Sequence, residues 1–445
     1  MSGNPEWPVP PWWAKVGLTC TVVILSALIA LNTGYGLHPD ERLHVAAFRY
    51  FETHWWPPEL GADELVYSPD GTSRVFFGEV VYLVYGKMAH LILTVLDISD
   101  PTRELQTAYT VYRLLNTLLL AGTLIYLFTT RRRVFSPALL GAVMVCIPQV
   151  IYVYSYANSD AWAFTMTIIL FVYALGQTEE QPWTAKKYAQ VGLLLGLVLA
   201  AKPSFWPVLP FILAPLGQPW LTGLRVQPFR FLTGSLLAIT ALFLVAGPLR
   251  VIYPLTQKNY AQKYEAMREA KAREDFKPSQ ITYPGYRLAQ RGEPFSSVGG
   301  NPYWYKASAQ SLYGVFGYFN TFLPDAMYWL AAGAALAMVG LTAWGAGVNW
   351  SRLPTLLRVL LISAPVAMGL NVLASLYNSW IYDVQPQGRY LFGGLIPLAV
   401  LCFGMLPWES QILRRTRWMI VAFFFGLNVY ALTSAVLLNP ALSKS

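Results

Sequence analysis

The chain has 445 residues, 55% of them hydrophobic and only 12% charged, with a net charge of +9. A charged fraction about half that of an average soluble protein excludes an ordinary soluble domain, and bases scattered without a nucleic-acid motif exclude a DNA- or RNA-binding protein. The three cysteines, Cys20, Cys146 and Cys402, all fall in apolar runs, where they read as small hydrophobes and not as a disulfide framework or metal cluster.

The first predicted element is an apolar helix over residues 16 to 34, behind Lys15. No small-residue cleavage site follows it, so it reads as a retained anchor. Residues 35–108 then lie outside the membrane and carry 11 of the 23 acidic residues and all four histidines, His38, His44, His54 and His90. Their stretch 76–96 is apolar enough to span, but Glu79, Lys87 and His90 would be costly in lipid, which points to an interfacial helix on the outer surface.

Further spans are predicted at 109–130, 135–154, 161–177, 189–201, 204–216, 231–250, 324–345, 356–377, 390–407 and 418–437. They bring the basic loops to one side, the cytoplasmic one: Arg131, Arg132 and Arg133; Lys186 and Lys187; Arg225 and Arg230; Arg352 and Arg358; Arg414, Arg415 and Arg417. The expected architecture is an all-α polytopic membrane protein of about 11 transmembrane helices, one membrane domain over residues 1–445, with its N-terminus cytoplasmic. A second long outer segment, 251–323, contains the helix-forming "YAQKYEAMREAKARED" (260–275) and reads either as a lid or as a solvated connecting helix.

Four motifs carry polar chemistry to the outer face. In "HPDERLH" (38–44), Pro39 followed by Asp40 and Glu41 suits the first turn of a helix, and it equally suits a carboxylate, Asp40, held where it takes a proton from a hydroxyl nucleophile. His44 shares that helix face and would orient the carboxylate, help bind a metal or simply be hydrogen-bonded. "YANSDAW" (156–162) places Asn158 and Asp160 at a turn. "LAAKPSFWPVLP" (199–210) breaks an apolar hairpin at Lys202-Pro203, with a cation that either snorkels or binds an anion. "QGRYLFGGLIP" (387–397) puts Arg389 on the outer side against the positive-inside trend, with a planar fork that suits a phosphate, or an interfacial anchor beside Tyr390. Asp325 and Asp383 fall at outer span ends too.

Acids and cations around one cavity at lipid level suit a reaction between a lipid-borne phosphate ester and a hydroxyl, the cations stabilising the departing phosphate and a carboxylate activating the acceptor. A polyprenyl-phosphate sugar is such a donor. One base and a phosphate clamp would give an inverting displacement, and the cytoplasmic loops are too short to fold a nucleotide-sugar site.

On these four motifs, whose order spans most of the chain, the sequence resembles the GT-C superfamily of integral membrane glycosyltransferases, and more closely a bacterial family of unknown function within it. The resemblance implies a GT-C-like bundle in which residues 35–108 form interfacial helices over the site. It implies Asp40 with Glu41, and His44 beside them, as the catalytic group. Lys202 and Arg389, with Gln387 and Tyr390 of the same motif, would hold the donor phosphate, and Asn158, Asp160 and His38 would line the pocket. It further implies a bacterial inner-membrane location with a periplasmic active site, a polyprenyl-phosphate sugar donor, and a glycan, lipid or exported protein as acceptor. A divalent metal, magnesium or manganese, at Asp40 is compatible with these residues and not demanded by them. The family's Pro-Pro-Leu-Tyr-Tyr-like start of the interfacial helix is here "GEVVYLVYG" (78–86). The competing function classes are a flippase for lipid-linked saccharide, which needs polar groups at mid-membrane depth, and a glycan polymerase or ligase.

Overall fold

The computed structural model describes residues 11–97, 100–132, 135–178, 183–403 and 411–443; Arg133, the side chain of Arg414 and the end of the span expected at 390–407 lie outside these. The described chain is all-α apart from one short antiparallel pair, Val315–Phe316 with Thr321–Phe322. In chain order the helices are α1 (Trp12–Asn32), α2 (Glu41–Thr53), α3 (Val80–Leu96), α4 (Pro101–Thr129), α5 (Ala138–Cys146), α6 (Pro148–Val153), α7 (Asp160–Gln177), α8 (Ala185–Leu199), α9 (Leu209–Leu213), α10 (Gly217–Val226), α11 (Pro228–Gly247), α12 (Tyr253–Thr256), α13 (Tyr260–Lys271), α14 (Ser296–Gly299), α15 (Pro302–Tyr313), α16 (Asp325–Asn349), α17 (Thr355–Ile381), α18 (Leu395–Phe403) and α19 (Gln411–Leu432).

Among the described residues, seven helical stretches are long and apolar enough to cross a membrane: α1, α4, α7, α11 with its continuation to Thr256, α16 with its extension to Arg352, α17, and α19 continued to Leu437. The chain is an all-α polytopic membrane protein. The other four expected spans coincide with shorter or interrupted helices. Proline is one cause: Pro148 separates α5 from α6, and Pro203, Pro207, Pro210 and Pro215 turn the stretch from Pro203 to Leu216 into alternating 3₁₀ and α turns. The third is α8, and the fourth opens as a 3₁₀ segment, Gly388–Gly394, before α18.

Small residues set the closest packing, as they do where lipid removes the hydrophobic drive between helices. A Cβ on Gly192 of α8 would stand 2.0 Å from the Ala238 carbonyl oxygen of α11, and one on Gly86 of α3 would stand 2.7 Å from the Phe48 carbonyl oxygen of α2. One core joins α1 and α4–α9 to α16–α19; a second, built from α2, α3 and α4 with Tyr253 and Met267, roofs one end of the bundle. Leu91, Val95 and Leu96 remain exposed on the distal half of α3, which therefore buries one face on α2 and leaves an apolar end free.

Candidate active site

The chain leaves α1 at Thr33 and re-enters a helix at Glu41, and His38 fixes this turn. Its Nε2 lies 2.8 Å from the Thr33 hydroxyl and its Nδ1 2.6 Å from the Tyr152 hydroxyl, with the ring stacked on Tyr156. Burial pushes its pKa down to about 3, so it is a neutral pin with both nitrogens in use. Asp40 follows with φ at 58°, a left-handed conformation uncommon for a residue with a side chain. It stands at the N-cap position of α2, yet its side chain makes no capping bond.

The Asp40 carboxylate instead accepts from two guanidiniums on the same oxygen. Oδ2 lies 3.2 Å from Arg74 Nη2 and 3.1 Å from Arg389 Nη2. Burial alone would raise its pKa, but Arg74 and Arg389, with His44 and Lys202 near, hold the carboxyl well below the usual carboxylate range. A third of the side chain's surface remains accessible, while Arg389 keeps 3% of its own.

Arg389 belongs to the 3₁₀ segment 388–394, whose entry is pinned by Gly388 N donating to Ser311 Oγ of α15 at 2.6 Å. The backbones meet so closely there that a Cβ on Gly388 would come 1.9 Å from Leu312 N. Gly388→Ala is expected to cost about 1–3 kcal/mol by overpacking, read as a lower unfolding midpoint in detergent, and to displace Arg389. The Arg389 fork donates Nη1 to the Tyr156 hydroxyl at 3.1 Å, while its Nε, buried, has no acceptor. A charged N–H donor of this kind suits an anion's oxygen.

Lys202, held where the break after α8 turns the chain back, has Nζ 2.8 Å from Asp160 Oδ1 and 4.7 Å from the centre of the Tyr390 ring. Arg389 Nη1 is 3.9 Å from Asp160 Oδ2, so Asp40, Arg74, Arg389, Asp160 and Lys202 form one charged cluster. Tyr390 donates to Gln385 Oε1 at 2.5 Å, and Gln385 donates to Asp383 at 2.8 Å. Burial, and then the nearby acids Asp70 and Asp40, raise the pKa of Asp383. Gln387 contributes its backbone carbonyl, which accepts from Tyr390 N at 3.1 Å.

Three other expected site residues are placed differently. Glu41 is fully buried beside the cluster, with both oxygens on Arg113 (Nε–Oε1 2.7 Å, Nη2–Oε2 2.8 Å), and it also accepts from Gly36 N and Ala157 N. Asn158 bonds the Val153 and Tyr156 carbonyls and accepts from Ala161 N, which makes it the polar turn at the start of α7. His44 shares a bond of 2.8 Å with the Tyr82 hydroxyl; burial, then Arg74 and Lys202, hold its pKa well below the ordinary value, and its Nε2 has no partner.

No family model matches the chain, and no curated protein does. Among solved structures it is similar to ArnT. The match to the crystal structure of ArnT from Cupriavidus metallidurans bound to undecaprenyl phosphate has 12% identity over 95% of this chain and 65% of that one, with a TM-score of 0.49. The match to the apo state of ArnT from Cupriavidus metallidurans also has 12% identity, over 89% of this chain and 77% of that one, with a TM-score of 0.36. This chain thus spans about 65% of the length of the ArnT structure with the lipid.

The arrangement does not fit a divalent cation at Asp40, because two guanidiniums already converge on its Oδ2 and would repel a second cation there, and among the described residues no group of three His, Cys, Asp or Glu side chains that could hold a metal stands together. Two residues that motif reasoning passed over complete the site. Arg74, in "TSRVFF" (72–77), is a base in the acid-rich segment 35–108 expected on the outer side, the same signal against the positive-inside trend that singled out Arg389. Arg113 lies in an apolar helix, where a charge marks a partner in the bundle.

Proposed function

We propose that this chain is an integral membrane glycosyltransferase that moves one sugar from a polyprenyl-phosphate-linked donor to a glycan, lipid or exported-protein acceptor at the outer face of a bacterial inner membrane. The observation that carries this reading is the convergence of Arg74 and Arg389 on Asp40, with Lys202 beside them and the Nε of Arg389 unpaired. The motifs that resemble the GT-C superfamily supply Asp40, Lys202 and Arg389, and the basic loops expected on the opposite side support the outward orientation.

In the proposed reaction the phosphodiester of the donor is held by Arg389, Arg74 and Lys202. The acceptor hydroxyl attacks the anomeric carbon from the opposite side and gives its proton to Asp40. The anomeric C–O bond to phosphorus breaks, its electron pair leaving with the polyprenyl phosphate, whose added charge the cations take up. The configuration inverts. Asp40 is a weak base while both arginines hold it. Once the donor phosphate occupies them, their pull on the carboxylate falls and its basicity rises, so the base is switched on by the substrate that needs it. Glu41 and His38 act at a distance, by holding the turn that presents Asp40.

Arg389→Lys keeps the charge and loses the fork that reaches Tyr156, Asp40 and an anion together. It is expected to raise the donor KM about tenfold or more, the worth of one charge-assisted hydrogen bond, with a smaller effect on acceptor KM. The reading itself is tested by mass spectrometry of surface glycoconjugates and polyprenyl lipids in a deletion strain, complemented with wild type or Asp40→Asn. Loss of one sugar with accumulation of its lipid donor, restored by wild type alone, is the expected result. Failure of the donor to reach the outer leaflet, with Asp40→Asn still complementing, would instead identify a flippase.

A further inference from the structure

A cavity of about 770 Å³ lies between α5, α15, α16, α18 and α19, apart from the charged cluster. Its walls are apolar: Ala142 of α5, Ala335 and Met338 of α16, Leu398 of α18 and Phe424 of α19 are typical. α15 separates it from the site, because Ser311 on one side of that helix holds Gly388 while Lys306, Ala309 and Gln310 line the cavity. The donor's reacting end and this cavity are therefore different places.

Three polar features break the apolar lining. Tyr313 is 9% exposed, and its hydroxyl is buried with no hydrogen-bond partner. Lys306 on α15 and Asp325 at the first turn of α16 are exposed and both line the cavity, and neither makes an ion pair within 4.0 Å among the described residues. One unpaired cation, one unpaired anion and one orphan donor border an apolar slot. At roughly 30 Å³ for each heavy atom, a water molecule's share of its liquid, the slot has room for at least on the order of 25 chain atoms. That accommodates at least one straight acyl chain.

We propose that this cavity is a binding site for a zwitterionic glycerophospholipid with an amine headgroup. An acyl chain fills the slot between α16, α18 and α19, an ester carbonyl accepts from Tyr313, and the phosphate and ammonium meet Lys306 and Asp325. The charge pattern selects the headgroup: an anionic lipid would satisfy Lys306 and be repelled by Asp325. The site does not depend on the reading of the reaction.

The test is native mass spectrometry of the full-length protein purified in mild detergent, then challenged with phosphatidylethanolamine, phosphatidylglycerol or polyprenyl phosphate. Wild type is expected to retain one phosphatidylethanolamine in preference to phosphatidylglycerol. Ala335→Trp, which fills the slot, is expected to lose it, and Tyr313→Phe to weaken retention severalfold. Asp325→Asn, which alters only an exposed side chain and keeps the packing, is expected to shift retention towards phosphatidylglycerol and serves if the tryptophan variant does not fold. Equal retention of both phospholipids in wild type and Asp325→Asn would overturn the headgroup assignment. Retention of polyprenyl phosphate here, removed by Ala335→Trp, would overturn the occupant.

Discussion

Asp40→Asn is expected to lower the turnover number by about 10²–10⁴, the usual contribution of a positioned general base, with a modest loss of unfolding midpoint because Arg74 loses its carboxylate while Arg389 keeps Asp160 near. The amide keeps the volume and still offers one oxygen to a guanidinium, so nothing in the packing has to move. The same change should tighten binding of the donor phosphate, because the carboxylate that competes with it for Arg74 and Arg389 is gone. This split, slower turnover with stronger donor binding, separates a base masked by its clamp from a residue that only shapes the site. Full activity in the variant would remove Asp40 from the chemistry.

The pH dependence follows with its sign. In the free enzyme Asp40 is held below the usual carboxylate range, so the acid limb of kcat/KM should lie below the ordinary carboxylate pKa. Arg74→Gln removes one of the two cations and should move that limb upward, with Asp40 protonated at a higher pH than before.

Arg113→Met is the second large effect, and it acts on the fold. It leaves the Glu41 carboxylate buried at 0% exposure with only backbone donors, and removing one partner of such a pair costs about 3–5 kcal/mol. The expected outcome is a collapse of the folded fraction in detergent, far beyond that of Asp40→Asn. Adding Glu41→Gln should recover part of the loss, since the orphaned charge is then gone, and the double-variant cycle measures the coupling. Burial raises the Glu41 pKa, but the Arg113 guanidinium and the bond from Gly36 outweigh it and leave it lowered. The pair's contribution is therefore complete above the ordinary glutamate pKa and fades only as pH falls through the depressed value.

Adjacent acids at the start of one helix thus come to opposite ends. Asp40 keeps accessible surface and faces two cations; Glu41, one residue on, turns into the bundle and anchors α4 to the loop through Arg113. The sequence presents them as a pair, and nothing in the string separates them. Their division depends on which carboxylate meets an arginine 72 residues away and which meets one 349 residues away.

The sequence by itself determined the class of the protein and pointed to most of the residues of the charged cluster. Apolar runs near the thickness of a bilayer and a low charged fraction state a helical membrane bundle, since lipid leaves the backbone no other way to satisfy its polar groups. The cost of a charge in lipid is why Lys202 and Arg389 stood out and were found beside Asp40 and Asp160. Tertiary structure alone decided the rest. It brought Arg74 to the cluster, spent Asn158 and His38 on holding turns, interrupted the spans at their prolines, and opened the cavity beside α16. These outcomes rest on contacts between residues far apart in the chain, and hydropathy reports only what a residue tolerates, not which neighbour it will meet.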